Sequence, residues 1–237
     1  MRRAALTLLI VTLPTLFACD KPDARQPATD VAHASRIVTL APNLAELVFA
    51  AGAGDTLVGV SAYSDFPPAV AALPLVGDAF TIDQERLALL RPDLLLAWAS
   101  GTPAHVVDEL RQAGYRVEVI RTRSLDDISA TLIRIGELAG TQGEAREVAA
   151  EFAAALQDLG DKYRDTESIR VFYQVSKRPL YTVGPDHYAS ELIALCGGQN
   201  VFGDVRELAP AIDVEAVLGR DPEVMLAGDD AGSDAFS

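Results

Sequence analysis

From Arg36 onward, short apolar runs alternate with segments whose apolar residues recur every three or four positions. That switching of period predicts strands interleaved with amphipathic helices. Strands are expected at residues 36–40, 57–60, 93–98 and 116–120. Helices are expected at 43–51, stopped by Gly52, and from about 103 to 113, stopped by Gly114. A third helix should start after Ser124 as N-cap, with Asp126 and Asp127 facing the positive end of its dipole. Such alternation implies a parallel sheet covered by helices on both faces.

The longest helical period runs over residues 143–163, where Val148, Phe152, Ala155, Leu156, Leu159 and Tyr163 should mark one buried stripe. At 1.5 Å per residue it spans ~30 Å, enough to cross between two lobes. A second α/β series follows: a strand at 169–175, a helix at 188–195 ended by Gly197 and Gly198, a helix at 213–218 and a strand at 223–227. The expected fold class is therefore α/β, with two lobes of parallel-rich sheets flanked by helices and joined by one long helix. The lobes are assigned to residues 36–142 and 165–237, with the connecting helix at 143–164. The second lobe is the smaller, its last ten residues read as a loop, and it is expected to be truncated.

The N-terminal stretch changes the picture from fold to compartment. Arg2 and Arg3 precede an apolar run ending at Phe17, too short to span a bilayer, and residues 1–18 read as a signal peptide. Residues 19–35 have no apolar period and a Pro, Asp, Ala, Ser and Thr composition, which predicts a flexible tether. The net charge of −14 argues against nucleic acid, whose binding depends on Lys and Arg contacts to phosphate. Only two cysteines and three scattered histidines occur, so neither a disulfide framework nor a zinc motif is expected.

Catalytic signatures are missing: the chain has no GxSxG, GxxxxGK[ST], HExxH or GxGxxG. His105 falls in a predicted helix and reads as a surface residue. Ser64, followed by Asp65, is the best candidate nucleophile for an exported α/β hydrolase, but Pro67 and Pro68 prevent a helix from starting directly after it. The aromatic residues are more informative. Tyr63, Phe66, Phe80, Trp98 and Tyr181 fall mostly where strands give way to loops, the edge at which open α/β sheets bind ligands.

Several runs carry a resemblance: RIVTLAPNLAELVFAAG, VGVSAYSDFPP, ERLALLRPDLLLAW and LCGGQNVF, in that order over about residues 36–227. Together they resemble the substrate-binding proteins of ABC importers whose two lobes are joined by one long helix, and more narrowly the cobalamin-binding members. The resemblance implies capture of cobalamin or a related corrinoid as transported ligand, with no cofactor and no catalysis, by a monomer that hands it to membrane permease subunits. A haem or ferric-siderophore binder of the same fold is the alternative. It further implies that Tyr63, Trp98 and Tyr181 hold the ligand between the lobes. Where better-known members carry tryptophan this chain has Ala79 and Ala209, and Phe80 is the candidate substitute for the first. Glu85 and Glu215 fall on positions that dock on arginines of the permease.

Leu16-Phe17-Ala18-Cys19 resembles a lipobox, which implies acylation of Cys19, with ordinary signal-peptidase cleavage as the alternative. Asp20 then resembles the signal for retention at the outer face of the inner membrane. Cys196 takes the place of a cysteine that, in the family, pairs with one near the C-terminal end, and that partner would lie beyond Ser237.

Overall fold

Leu94 to Ala97 are buried on both sides, and their alternation builds two cores at once. The computed structural model describes residues 33–78 and 80–227. The expected signal peptide, Cys19, the tether as far as residue 32, Ala79 and residues 228–237 lie outside the described residues. The first sheet comprises β1 (Ile37–Thr39), β2 (Leu57–Gly59), β3 (Leu94–Trp98) and β4 (Val117–Ile120), all parallel, in the order β2-β1-β3-β4. Leu94 and Leu96 join Ile37, Leu44, Val48 and Ile135 on one face. Leu95 and Ala97 join Val38, Leu40, Leu87 and Leu110 on the other. This is the period of two expected for a strand, here apolar at every position because helices cover both faces.

Those helices are α1 (Pro42–Ala50), α2 (Gln84–Leu90), α3 (Ala104–Gln112) and α4 (Leu125–Ala139). The sequence pattern predicts α1 and α3 to within two residues at each end and the start of α4 at its Ser124 cap, but not α2. At the start of α4, the Ser124 hydroxyl accepts from the Asp127 N–H at 3.1 Å while the Asp127 carboxylate accepts from the N–H groups of Ser124 and Arg123 at 3.0 and 2.8 Å. This capping box holds the Asp127 carboxyl below the ordinary range, because backbone donors favour its charged form.

The long helix α5 (Gln142–Tyr163) packs along α4 and then reaches the second lobe. Its closest packing differs from expectation. Ala145 and Ala149 are the buried residues, with Ala145 seated against Gly136 of α4 so closely that a Cβ there would overlap it. Val148, Phe152, Leu156, Leu159 and Tyr163 are half-buried and Ala155 is exposed. Small residues let the two helix backbones approach, while Val148 packs at the margin of the first core.

The second lobe holds β5 (Ile169–Gln174), the two-residue strands β6 (Ser176–Lys177) and β7 (Leu180–Tyr181), α6 (Tyr188–Leu195), β8 (Gly198–Asn200), α7 (Val214–Arg220) and β9 (Val224–Ala227). β8, β5 and β9 form a parallel sheet in the order β8-β5-β9, and β6 and β7 an antiparallel pair. Its core is small, built on Phe172, Phe202 and Val217, with the Arg220 guanidinium 4.4 Å above the Phe202 ring. On β9, Val224, Met225 and Leu226 are exposed, in contrast to the covered strands of the first sheet.

One unit occurs twice. In the first lobe Asp83 caps α2 by accepting from the Arg86 N–H, the helix ends on Arg91 in the left-handed region, and Pro92, Asp93 and β3 follow. In the second, Asp213 caps α7, Asp221 takes the left-handed position, and Pro222, Glu223 and β9 follow. An arginine closes each unit. Arg36 Nε donates to the Leu90 and Arg91 carbonyls while its N–H donates to Asp93 at 3.1 Å. Arg170 Nε donates to the Asp221 carbonyl at 2.7 Å while its N–H donates to Glu223 at 2.8 Å.

The expected tether ends sooner than residue 35. Ala34 is buried and its N–H donates to the Leu138 carbonyl at 2.7 Å, and the Ser35 N–H and hydroxyl both donate to Asp93 at 2.9 Å. A segment without apolar period is pinned here by polar bonds, which hydropathy does not register.

Candidate functional site

In the order β2-β1-β3-β4 the chain moves one way from β1 to β2 and then crosses back to β3, so the strand order reverses between β1 and β3. Crevices form outside the carboxyl ends of strands at such a point. The loop after β2 carries Tyr63, which is 85% exposed and held at φ +66°, and Phe66, which precedes a cis proline. A non-glycine residue at positive φ is uncommon and needs surrounding structure to hold it. That support is visible: Val60 donates to the Pro74 carbonyl and Ala62 to the Gly77 carbonyl, stitching this loop to the one that bears Phe80. Asp78 accepts from the Phe80 and Thr81 N–H groups at 2.8 and 2.7 Å, folding a tight turn that presents Phe80, 73% exposed, on the same edge. Two large aromatic rings thus stand in solvent on a well-bonded frame, the arrangement of a surface awaiting an apolar partner.

Trp98 ends β3 and is half-buried against the first core. Its indole N–H donates to the Thr122 hydroxyl at 3.3 Å, and Gly101 lies against the ring, where a Cβ would collide with it. The glycine is needed for this approach. Tyr181 belongs to the second lobe, on β7, half-buried. Its carbonyl accepts from the Val175 N–H, and its strand bridges to Ala211. Tyr63 and Phe80 therefore share one loop system, Trp98 stands at the end of a central strand, and Tyr181 belongs to the other lobe.

Sequence reading passed over a polar corner between the lobes. Glu191 of α6 accepts from the Leu125 N–H at the start of α4 at 2.6 Å, which turns one face of α6 toward the first lobe. Tyr188, three residues earlier, lies on that same face. Burial, then Tyr173, then Glu46 of α1 raise the Tyr188 hydroxyl, so the phenol keeps its proton. Partial burial and the nearby Asp65 raise the Glu46 carboxyl in turn. The His187 ring lies 4.3 Å from that of Tyr188 at a tilt of 34°, His187 accepts from the Ala189 N–H through Nδ1, and burial lowers it toward its neutral form. In the sequence Glu46 reads as one more exposed acid of a helix.

Glu85 and Glu215 are exposed, each the second residue of α2 and α7, and so occupy equivalent places in the duplicated unit. His105 is exposed on α3. The Ser64 hydroxyl lies 3.4 Å from that of Ser61, and the chain after it enters a 3-10 turn at Pro68–Ala72 rather than a helix, which is not the geometry of a nucleophile elbow. Among the described residues Cys196 is a free thiol, and no group of three or more His, Cys, Asp or Glu side chains is placed to hold a metal. A wide hollow of about 730 Å³ opens on the second lobe beside Ser190, Asn200 and Arg220, with none of Tyr63, Phe66, Phe80, Trp98 and Tyr181 in its lining. Its polar groups are already engaged: Asn200 donates to the Val183 carbonyl and the Ser190 hydroxyl, and Arg220 pairs with Asp204.

Residues 37–236 match the profile of the family described as periplasmic binding protein. The vitamin B12-binding protein of Vibrio cholerae O395 is 36% identical over 231 residues, covering 98% of this chain and 79% of that relative. Among solved structures, the periplasmic vitamin B12 binding protein of Vibrio cholerae superposes with a TM-score of 0.77 at 37% identity, over 85% of this chain and 79% of the other. A periplasmic haem binding protein from Pseudomonas aeruginosa superposes with a TM-score of 0.74 at 25% identity, over 82% of this chain and 71% of the other.

Proposed function

The chain belongs to the periplasmic binding protein family, and from that premise we propose that it captures cobalamin or a related corrinoid outside the cytoplasm and delivers it to an ABC importer. The observation that carries the ligand is the 36% identity with a vitamin B12-binding protein along 98% of this chain. The geometry is in keeping with it. A corrin ring is broad and flat, so aromatic area contributes most of its binding, with a few polar groups setting its orientation. Tyr63, Phe80 and Trp98 of the first lobe and Tyr181 of the second supply that area in this reading.

Glu85 and Glu215 are the proposed contacts to the permease. Their equivalence in the repeated unit is what a two-fold membrane partner requires, one carboxylate per lobe. Exposed rim charges of this kind steer encounter and fix register more than they add affinity. The remaining parts of the reading concern placement: export by residues 1–18, acylation at Cys19, anchorage at the outer face of the inner membrane and action as a monomer.

The test is calorimetric titration with cyanocobalamin, haem and a ferric siderophore. One-to-one binding of cyanocobalamin alone is expected. Preferred binding of haem, the ligand class of the Pseudomonas relative, would keep the family and overturn the ligand. Replacing Cys19 with Ala should release the protein from the membrane fraction, and unchanged partitioning would refute the anchor.

A further inference from the structure

Helix α6 is the part of the second lobe that packs against both α5 and α4. Two of its residues make the contacts, and they are of different kinds. Leu195 lies against Gly160 of α5, so close that a Cβ on the glycine would overlap its Cδ1. Glu191, one turn earlier and on the same helix face, accepts from the Leu125 N–H of α4 at 2.6 Å. The second lobe is therefore seated on the long helix by an apolar contact and on the first lobe by a carboxylate.

Packing alone does not fix this joint. A hollow of about 550 Å³ opens there, lined by Leu125, Leu156, Glu191 and Leu195 among others. An interior filled to native density holds a single arrangement, whereas a hollow leaves room for a second. A leucine resting on a glycine tolerates rotation about the contact. A hydrogen bond tolerates it poorly, because it weakens steeply with distance and angle. The carboxylate is also in the right place to hold. Leu125 is the first residue of α4, and its N–H has no partner within the helix. The box formed by Ser124 and Asp127 satisfies the N–H groups of Arg123, Ser124 and Asp127 and leaves that of Leu125 to Glu191. The helix dipole favours negative charge at the same end.

We propose that Glu191 is a latch that sets the resting angle between the two lobes, with the contact of Leu195 on Gly160 as its pivot, and that it pre-aligns the lobe bearing Tyr181 for ligand capture. Glu191 is a positioning residue in this scheme and touches no ligand. Released from the latch, the second lobe samples angles at which the two lobes cannot engage one ligand together, and the apparent affinity falls with the competent fraction. The part that concerns capture rests on the reading that a corrinoid is held between the lobes.

The experiment reads the lobes and the ligand separately. Spin labels on cysteines at His105 of α3 and Gly219 of α7, both exposed, report the distance between the lobes by double electron–electron resonance, with Cys19 and Cys196 replaced by serine. In the free protein E191A and E191D should both broaden the distance distribution, since alanine offers no acceptor and aspartate falls one methylene short. E191Q keeps an oxygen at the same reach and should retain the wild-type width. Calorimetric titration should show cyanocobalamin bound about threefold more weakly by E191A and E191D, and within about twofold of wild type by E191Q. Circular dichroism establishes that each variant is folded, and E191D carries the test if E191A is not. An unchanged distribution in the folded variants overturns the latch and leaves the corrinoid reading intact. A broadened distribution with unchanged cyanocobalamin affinity overturns the role in capture. A wild type that binds no cyanocobalamin overturns the corrinoid reading, and the distances still decide the latch.

Discussion

Asp93 is the group through which the N-terminal segment, β1 and β3 are tied together, and replacing it with Asn removes the charge while keeping the shape. Its carboxylate accepts from the Ser35 N–H and hydroxyl at 2.9 Å each and from the Arg36 N–H at 3.1 Å. Burial alone would raise this carboxyl, but those donors outweigh it and hold it below the ordinary range. Hydrogen bonds to a charged group contribute roughly 1.5–3 kcal/mol when shielded. Asp93 is exposed, so screening by solvent reduces the expected cost of D93N to about 1 kcal/mol at neutral pH.

The sign of the pH dependence follows from the depressed folded-state value. The stabilisation is complete above the unfolded pKa of about 3.9 and is lost as pH falls through the lower folded value. Asn mimics the protonated carboxyl, so the wild-type advantage should shrink toward zero below that point. Urea unfolding of both proteins at pH 7 and at the lowest pH where they remain folded measures it. An advantage that is nil at pH 7, or that persists undiminished in acid, would refute the assignment of the carboxylate as an ionised acceptor.

Other expectations follow from the same geometry. Leu96 is fully buried in the first sheet, so L96A should cost about 2–5 kcal/mol in urea unfolding; a cost below 1 kcal/mol would mean the core relaxes around the cavity. G77A should destabilise by roughly 1–3 kcal/mol, since Gly77 sits at φ +109° and a Cβ would strike the Thr81 carbonyl; the loop bearing Phe80 should loosen with it, seen as faster amide exchange. Trp98 is the single tryptophan of the chain, so quenching of its fluorescence by cyanocobalamin tests whether the ring binds at the end of β3. Absence of quenching at saturating ligand would move the site elsewhere. E85A and E215A should leave cyanocobalamin affinity unchanged while reducing stimulation of the importer's ATPase, and an equal loss of ligand affinity would argue against a docking role.

Much of the fold was legible because parallel strands buried on both faces read as apolar runs, as Leu94 to Ala97 do, and because caps such as Ser124 with Asp127 announce helix starts. β8 was not, since Gly198, Gln199 and Asn200 form a strand through backbone pairing to β5 with no apolar signal. β6 and β7 are too short for any period to show. The duplicated unit was available in the sequence. Asp83, Glu85, Pro92 and Asp93 recur 130 positions later as Asp213, Glu215, Pro222 and Glu223, an offset that places the two glutamates in equivalent positions without reference to relatives. The bond from Leu125 to Glu191 was not legible, because nothing local to either residue encodes the packing of α4 against α6.

The central claim is that two aromatic-bearing lobes hold a corrinoid between them. Its most direct test is the titration of this chain with cyanocobalamin against haem by calorimetry. The account predicts saturable one-to-one binding of cyanocobalamin with haem bound weakly or not at all; haem bound in preference, or no cyanocobalamin bound by folded protein, would contradict it.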